Sequence, residues 1–155
     1  MFKLRLQRLP LLFTDCPVYF LTACTRDRRA ILATRETHHT FESFSRNAGD
    51  WNVLVGSYVI MPDHVHLFAA FTPESPLLST WMRALKRTLA KDLSARGVRG
   101  PHWQKGYFDH VMRSEESYEQ KWLYVRDNPV RAGLVRNCEE WSYQGEIHPL
   151  TVGKL

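Results

Sequence analysis

Residues 52–71, NVLVGSYVIMPDHVHLFAAF, consist of two apolar runs joined by a short turn. The first run, residues 52–60, is rich in β-branched and aromatic side chains and is predicted to be a strand. Residues 61–63 contain proline and aspartate, which favour a reversal of the chain. The second run, residues 64–71, is equally apolar except for two histidines. The stretch is therefore predicted to be a β-hairpin, and the two polar rings within it need an explanation.

Working outward from this hairpin, the flanking sequence alternates between further strands and helices. The predicted elements are a strand over residues 17–24, a helix capped by Thr34 and running to about residue 47, a helix over residues 77–95, a strand or extended segment over residues 102–112, and a helix from Ser114 to about residue 128. The resulting order is β-α-β-β-α-β followed by a helix. That order is typical of a ferredoxin-like α+β fold, with an antiparallel sheet and here an added C-terminal helix.

Length and composition narrow the class of protein. The 155 residues fit a single domain, and a hydrophobic content of 44% argues against a disordered chain. No apolar stretch approaches the ~20 residues needed to cross a bilayer, so no membrane partner is expected. The three cysteines form no C-x-x-C pair, which argues against a disulfide framework or a cysteine zinc site and favours the cytoplasm. The net charge of +5 is compatible with a nucleic-acid partner.

The two histidines of the second run are separated by one residue, so both are expected on the same face of the strand. Val65 and Leu67 then point to the opposite face and contribute to the core. The Cα atoms of His64 and His66 are expected roughly 6.5–7 Å apart, at which spacing two imidazoles can converge on one divalent metal ion. The alternative is a pair of hydrogen-bonded histidines on a solvent-facing strand edge.

The last predicted helix carries a second pair of polar side chains. Tyr124 and Asn128 are four residues apart and are therefore expected on one helix face, with a phenol beside an amide carbonyl. The carbonyl is a hard oxygen ligand, and the phenol is a latent nucleophile. Each residue also has an ordinary interpretation, Tyr124 as a packing residue and Asn128 as a turn residue before Pro129. Tyr118 is a weaker candidate nucleophile, because a six-residue spacing turns it far round the helix.

Three blocks of sequence carry a resemblance to a known family. They are MPDHVHLF at residues 61–68, WQKGYFDHVMR at residues 103–113 and YVRDNPVRAGLV at residues 124–135. In this order and spacing they resemble the single-tyrosine transposases of the HUH superfamily, and most of all the REP-associated tyrosine transposases. The resemblance covers about residues 18–135 and implies one HUH-type transposase domain over residues 1–155, with a ferredoxin-like fold.

The resemblance also implies roles for individual residues. In that family two histidines and a polar residue four positions after the tyrosine hold a divalent metal. These positions imply that His64, His66 and Asn128 bind Mg²⁺ or Mn²⁺ and that Tyr124 is the catalytic nucleophile. The implied activity is that of a DNA strand transferase, which cleaves and rejoins single-stranded DNA at hairpin, REP-like sequences through a 5′-phosphotyrosine. The implied partners are single-stranded DNA hairpins, bound by a monomer or a homodimer in the cytoplasm at the nucleoid.

Two other functions compete with this interpretation. A non-cleaving hairpin-binding module derived from such a transposase would need neither Tyr124 nor the histidine pair, so the motif residues favour the enzyme. A metal hydrolase that uses the histidines and a water molecule would need further ligands, and the sequence contains no other His/Asp cluster with metal-ligand spacing.

Basic residues outside these motifs suggest where DNA would bind. The helix over residues 77–95 is the most basic, and its charges are predicted to follow a phosphate backbone. The predicted contacts on this helix and around the site are Arg83, Lys86, Arg87, Lys91, Lys105, Arg113 and Arg131. The alternative for the helix is an ordinary solvated polar face.

Overall fold

The computed structural model describes residues 16–152, and all structural statements below concern this range. Its strands are β1 (Val18–Cys24), β2 (Val53–Ile60), β3 (His64–Phe71), β4 (Phe108–Met112) and β5 (Gln144–Glu146). Its helices are α1 (Arg35–Asn47), α2 (Leu78–Ala95), α3 (Glu115–Arg126) and α4 (Asn128–Arg131), and short 3₁₀ turns lie at Arg26–Arg28, Ala48–Trp51 and Cys138–Glu140. No helix in this range is long and apolar enough to span a membrane.

The five strands form one antiparallel sheet in the order β4-β1-β3-β2-β5. The first four strands have the ferredoxin-like connectivity that the sequence predicts, so the α+β fold class is confirmed. β3 lies in the middle of the sheet, where it pairs with both β1 and β2. The two histidines are therefore on a central strand, and the alternative of a solvent-facing strand edge is wrong.

Side chains on β3 alternate between two hydrophobic clusters, one on each face of the sheet. Val65 and Leu67 are buried with residues of α1 and α2, as predicted. Phe68 and Ala70 are buried on the other face, where Tyr118 and Val125, both on α3, pack. His64 and His66 share the Phe68 face because the side-chain period of a strand is two residues. The histidines consequently lie on the same side of the sheet as α3.

The starts of α1 and α3 agree with the capping signals in the sequence. The Thr34 hydroxyl accepts a bond from the amide of Thr37 and caps α1. Ser114 and Ser117 form a reciprocal capping box at the start of α3. Both devices satisfy amide groups that a helix leaves free at its first turn.

One predicted strand boundary is wrong, and one strand was not predicted. β4 begins at Phe108, not at residue 102, because Gly106 adopts a left-handed conformation with φ 78° that interrupts the extended chain. Upstream of it, the indole of Trp103 donates to the carbonyl oxygen of Lys86 and ties this segment to α2. At the C-terminal end, the short strand β5 on the edge of β2 was not predicted.

The helix that carries Tyr124 is also shorter than predicted. It ends at Arg126, and Asp127 has backbone angles of φ −85° and ψ 0° that separate α3 from α4. Asn128 therefore opens the next helix and does not share a helix with Tyr124. Pro129 explains the break, because its ring disfavours helical geometry at the preceding residue and its fixed φ suits a first helical turn.

Candidate functional site

His64 and His66 form the centre of the site. Their rings meet edge to face, in a T-shaped arrangement with centroids 4.6 Å apart and planes at 75°. β1 lies directly alongside, and its register places Thr22 opposite His66 and Cys24 opposite His64. The predicted convergence of the two imidazoles therefore agrees with the geometry of the strand.

Each ring is held through its Nδ1 atom. The His66 Nδ1 is 2.7 Å from the Thr22 hydroxyl oxygen, and the His64 Nδ1 is 2.7 Å from Asp63 Oδ1. Because a carboxylate only accepts, His64 donates from Nδ1 and its Nε2 carries a lone pair. Neither Nε2 has a hydrogen-bond partner among residues 16–152. Anchored Nδ1 atoms with open Nε2 atoms are the arrangement of metal-binding histidines.

Burial keeps both rings neutral at physiological pH. It lowers the pKa of His66 to about 3, and the neighbouring His64, Lys121 and Arg131 act in the same direction. Burial also lowers the pKa of His64, although the hydrogen bond and negative charge of Asp63 oppose the shift. Neutral imidazole is the form that binds a metal, so both side chains are in the ligand form at pH 7.

A pocket of about 450 Å³ is lined by His64 but not by His66, and it includes the predicted third ligand, Asn128. His64 and Asn128 line this site pocket together, although they come from β3 and α4. Its remaining lining residues are Arg28, Ala30, Met61, Pro62, Asp63, Arg131, Ala132 and Leu134. Among residues 16–152 there is no group of three or more His, Cys, Asp or Glu side chains that could hold a metal ion. A metal at this site would therefore depend on the two imidazoles and the amide oxygen of Asn128.

Tyr124 lies beside this pocket but does not line it. Its side chain is on α3 and is 61% exposed. The guanidinium carbon of Arg131, itself a lining residue, is 3.9 Å from the centre of the Tyr124 ring. The competing Tyr118 is buried, with its hydroxyl 3.5 Å from that of Ser57. Of the two tyrosines on α3, only Tyr124 is accessible to a large substrate.

Several site residues were missed by sequence reasoning. Lys121 places its ammonium 4.8 Å from the centre of the Phe20 ring, and Phe20 in turn stacks on His66 at 5.1 Å. The sequence could have identified Lys121 as a site residue, because it precedes Tyr124 by three residues and therefore shares its helix face. Thr22 and Phe20 carry no such signal, since they reach His66 only through the pairing of β1 with β3.

The predicted DNA contacts fall into separate regions. A groove of about 480 Å³ between α2 and residues 103–107 is lined by Arg83, Lys86, Arg87 and Lys105, together with Trp103 and Tyr107. Within this α2 groove, the Lys86 ammonium donates to the carbonyl oxygens of Gln104 and Gly106 at 2.8 and 2.7 Å. Lys91 and Arg113 are exposed and do not line the groove, and Arg131 lines the site pocket.

Comparisons with known proteins agree with the resemblance seen in the sequence. The chain is 22% identical over 125 residues to the REP-associated tyrosine transposase of Escherichia coli K12, which covers 81% of this chain and 73% of that protein. The solved structure of a REP-associated tyrosine transposase bound to a REP hairpin superposes with a TM-score of 0.69 at 20% identity, covering 92% of this chain and 94% of that one. At this identity the superposition establishes a shared fold.

A family model identifies the chain more directly. The model described as "Transposase IS200 like" matches residues 17–128, which extend from the residue before β1 to Asn128. The match includes both histidines of β3 and Tyr124. The chain therefore belongs to the IS200-like transposase family.

Proposed function

We propose that this protein cleaves and rejoins single-stranded DNA at hairpin, REP-like sequences, with Tyr124 as the nucleophile. One observation carries the proposal: two neutral, anchored imidazoles present open Nε2 atoms on the face of the sheet that holds α3. The exposed Tyr124 lies on that helix, and Asn128 shares the site pocket with His64. Membership of a transposase family supports a DNA-processing reaction.

The proposed reaction is a transesterification, which needs no external energy source because one phosphoester bond replaces another. The Tyr124 phenolic oxygen attacks the scissile phosphorus and loses its proton to solvent or a base. A bond forms between that oxygen and phosphorus, and the bond from phosphorus to the 3′ oxygen breaks. The 3′ oxygen leaves and takes up a proton from solvent to become a hydroxyl, and the 5′ end stays attached as a phosphotyrosine. Attack by a 3′-hydroxyl on this linkage reverses the step and rejoins the DNA.

The residues present fit a divalent metal, Mg²⁺ or Mn²⁺. His64 and His66 would supply nitrogen ligands from their Nε2 atoms, and Asn128 would supply an amide oxygen. A metal held there would supply Lewis-acid stabilisation of charge on the scissile phosphate. Thr22 and Asp63 fix the orientation of the two rings, while burial keeps the rings unprotonated.

The proposed substrate is a DNA hairpin with single-stranded flanks. A solved relative of the same fold is described as bound to a REP hairpin, which motivates this choice. The basic residues of the α2 groove, together with Arg131 and Arg113, would contact the phosphate backbone. The protein would act as a monomer or a homodimer on DNA at the nucleoid, within the cytoplasm.

A denaturing gel with labelled hairpin DNA tests the proposal. In Mn²⁺ or Mg²⁺ the wild-type chain is expected to form a covalent protein–DNA adduct, which chelator prevents. Tyr124→Phe is expected to bind the hairpin but form no adduct. Tyr118→Phe is the matched control, because it removes a phenol from the same helix where the hydroxyl faces Ser57. This control is expected to form the adduct normally.

The other outcomes separate the competing functions. Normal adduct formation by Tyr124→Phe would show that another residue is the nucleophile. Hairpin binding by the wild-type chain with no adduct in either metal would favour the non-cleaving binding module. Loss of the adduct in both tyrosine variants would indicate that α3 does not tolerate the substitutions. Thermal melting of each variant distinguishes such a folding defect from loss of the nucleophile.

A further inference from the structure

Arg28 enters the site pocket from the turn that follows β1. It lines this pocket together with His64 and Asn128, and its side chain is 52% exposed. The resemblance and the family match do not assign this arginine a role. Its position next to the histidine pair makes its hydrogen bonds informative.

Two of the three nitrogens of the Arg28 guanidinium are fixed by the protein. Nε donates to Asp63 Oδ2 at 2.9 Å, and Nη1 donates to the Cys24 sulfur at 3.0 Å. Nη2 has no hydrogen-bond partner among residues 16–152. The guanidinium is thus held in one orientation with one donor group still available, and the planar guanidinium is well suited to phosphate oxygens.

Asp63 connects this arginine to the histidine pair. Its Oδ2 accepts from Arg28, and its Oδ1 accepts from His64 Nδ1 at 2.7 Å. The backbone carbonyl of Asp63 also accepts from the amide and the hydroxyl of the buried Thr25, at 2.9 and 3.1 Å. One carboxylate therefore sets the position of a guanidinium relative to an imidazole.

The backbone that presents Arg28 is strained. Asp27 has φ 56° and Arg28 has φ 53°, so two consecutive residues other than glycine adopt the left-handed conformation. Such conformations are unfavourable for residues with a Cβ atom and concentrate at functional sites. Two adjacent outliers that place one side chain into the site pocket are consistent with a functional requirement on that side chain.

We propose that Arg28 binds a phosphate of the DNA strand at the site, and that Asp63 is a positioning residue for both Arg28 and His64. The inference rests on the proposed function. Asp63 is the sole acidic residue among those that line the pocket, where Arg28 and Arg131 supply the positive charge. The lining is therefore suited to an anion, and the carboxylate is already engaged by its two partners.

DNA binding in chelator tests Arg28 apart from any metal. The probe is a fluorescein-labelled DNA hairpin with single-stranded flanks, titrated by anisotropy at several salt concentrations. Arg28→Gln is expected to weaken binding several-fold and to reduce the slope of log K against log salt by about 0.7, the value for one phosphate contact on a single strand. Arg26→Gln is the matched control, because Arg26 is exposed on the same turn but does not line the pocket. Equal slopes for the two variants would overturn the proposal.

A double-mutant comparison tests Asp63. If this residue positions Arg28, the loss of affinity caused by Arg28→Gln is expected to be at least halved in an Asp63→Asn background. Full additivity would overturn the positioning role. Arg28→Lys keeps the charge but not the planar fork, so its hairpin affinity is expected to lie between those of the wild type and Arg28→Gln. This variant also tests Arg28 if Arg28→Gln folds poorly.

Failure of the Arg28 proposal can be distinguished from failure of the proposed function. A wild-type chain that binds the hairpin and forms the Tyr124 adduct, while Arg28→Gln and Arg26→Gln behave alike, overturns only the role of Arg28. A wild-type chain that binds no hairpin overturns both.

Discussion

At the level of single residues, His66 depends on a partner from another strand. Thr22 contacts its Nδ1 at 2.7 Å, so Thr22→Val removes this hydrogen bond and preserves the shape of the side chain. We expect metal-dependent adduct formation to fall about tenfold or more, which is typical for loss of a group that orients a metal ligand. Hairpin affinity in chelator should not change. Thr88→Val, which alters a hydroxyl bonded within α2, is the control.

The lowered pKa of His66 predicts a specific pH dependence of stability. Between pH 6.5 and about 3 the unfolded chain protonates this histidine while the folded chain does not, so stability falls as the pH is lowered through this window. Urea unfolding at pH 7 and pH 4.5 should show this loss, and His66→Gln should reduce it. His39→Gln, on an exposed helix position, should leave it unchanged. An equal pH dependence in all three proteins would contradict the buried, neutral state of His66.

The sequence predicted the orientation of the two histidines but not the residue that holds His66. The alternation of β3 was sufficient to separate His64 and His66 from Val65 and Leu67. The contact with Thr22 requires the register of β1 against β3, which no local pattern determines. For this reason the candidate ligands could be predicted, whereas Thr22, the residue that orients His66, could not.

At the level of elements, α3 depends on the capping box at its start. Ser114→Ala removes the side-chain acceptor for the Ser117 amide and the partner of its hydroxyl. We expect the free energy of unfolding to fall by about 1 kcal/mol, measured by urea denaturation. Ser94→Ala in the last turn of α2 is the control and should change stability by less than about 0.5 kcal/mol. An equal effect of the two substitutions would contradict a specific contribution from the cap.

The α2 groove gives Lys86 a role that differs from that of its basic neighbours. Its ammonium binds the carbonyl oxygens of Gln104 and Gly106, so Lys86→Met should destabilise the protein by about 1.5–3 kcal/mol. Lys91→Met removes the same charge from an exposed position of the same helix and should not affect stability. Thermal melting distinguishes the two. Equal melting temperatures would indicate that Lys86 serves only as a surface charge available to DNA.

Elements with a strong pattern were predicted well, and those determined by tertiary contacts were not. The β2–β3 hairpin and α1 agree with the sequence to within about one residue. β5 was missed because Gln144–Glu146, QGE, has no β-branched or aromatic residue and becomes a strand only by pairing with β2. The separation of Tyr124 from Asn128 was missed, because the four-residue spacing placed both on one helix, whereas Asn128 opens the second helix α4.

At the level of the whole molecule, positive charge is divided between the α2 groove and the site pocket. Combined substitution of Arg83, Arg87 and Lys105 by glutamine should reduce the salt slope of hairpin binding by about 2, which corresponds to three phosphate contacts at about 0.7 each. At saturating DNA the variant should still form the Tyr124 adduct, because the site pocket is unchanged. An unaltered slope would mean that the groove is an ordinary solvated face.

The strand order also determines when the protein can become functional during its synthesis. β1 emerges from the ribosome first but pairs with β3 and β4, and β4 follows only after α2. The loop of Arg28, the histidines of β3 and the residues of α4 come together only once most of the chain has been translated. Under the proposed function, a prematurely terminated chain that ends before α3 would lack the nucleophile and would be unable to cut DNA. Cleavage competence is then among the last properties that the nascent protein acquires.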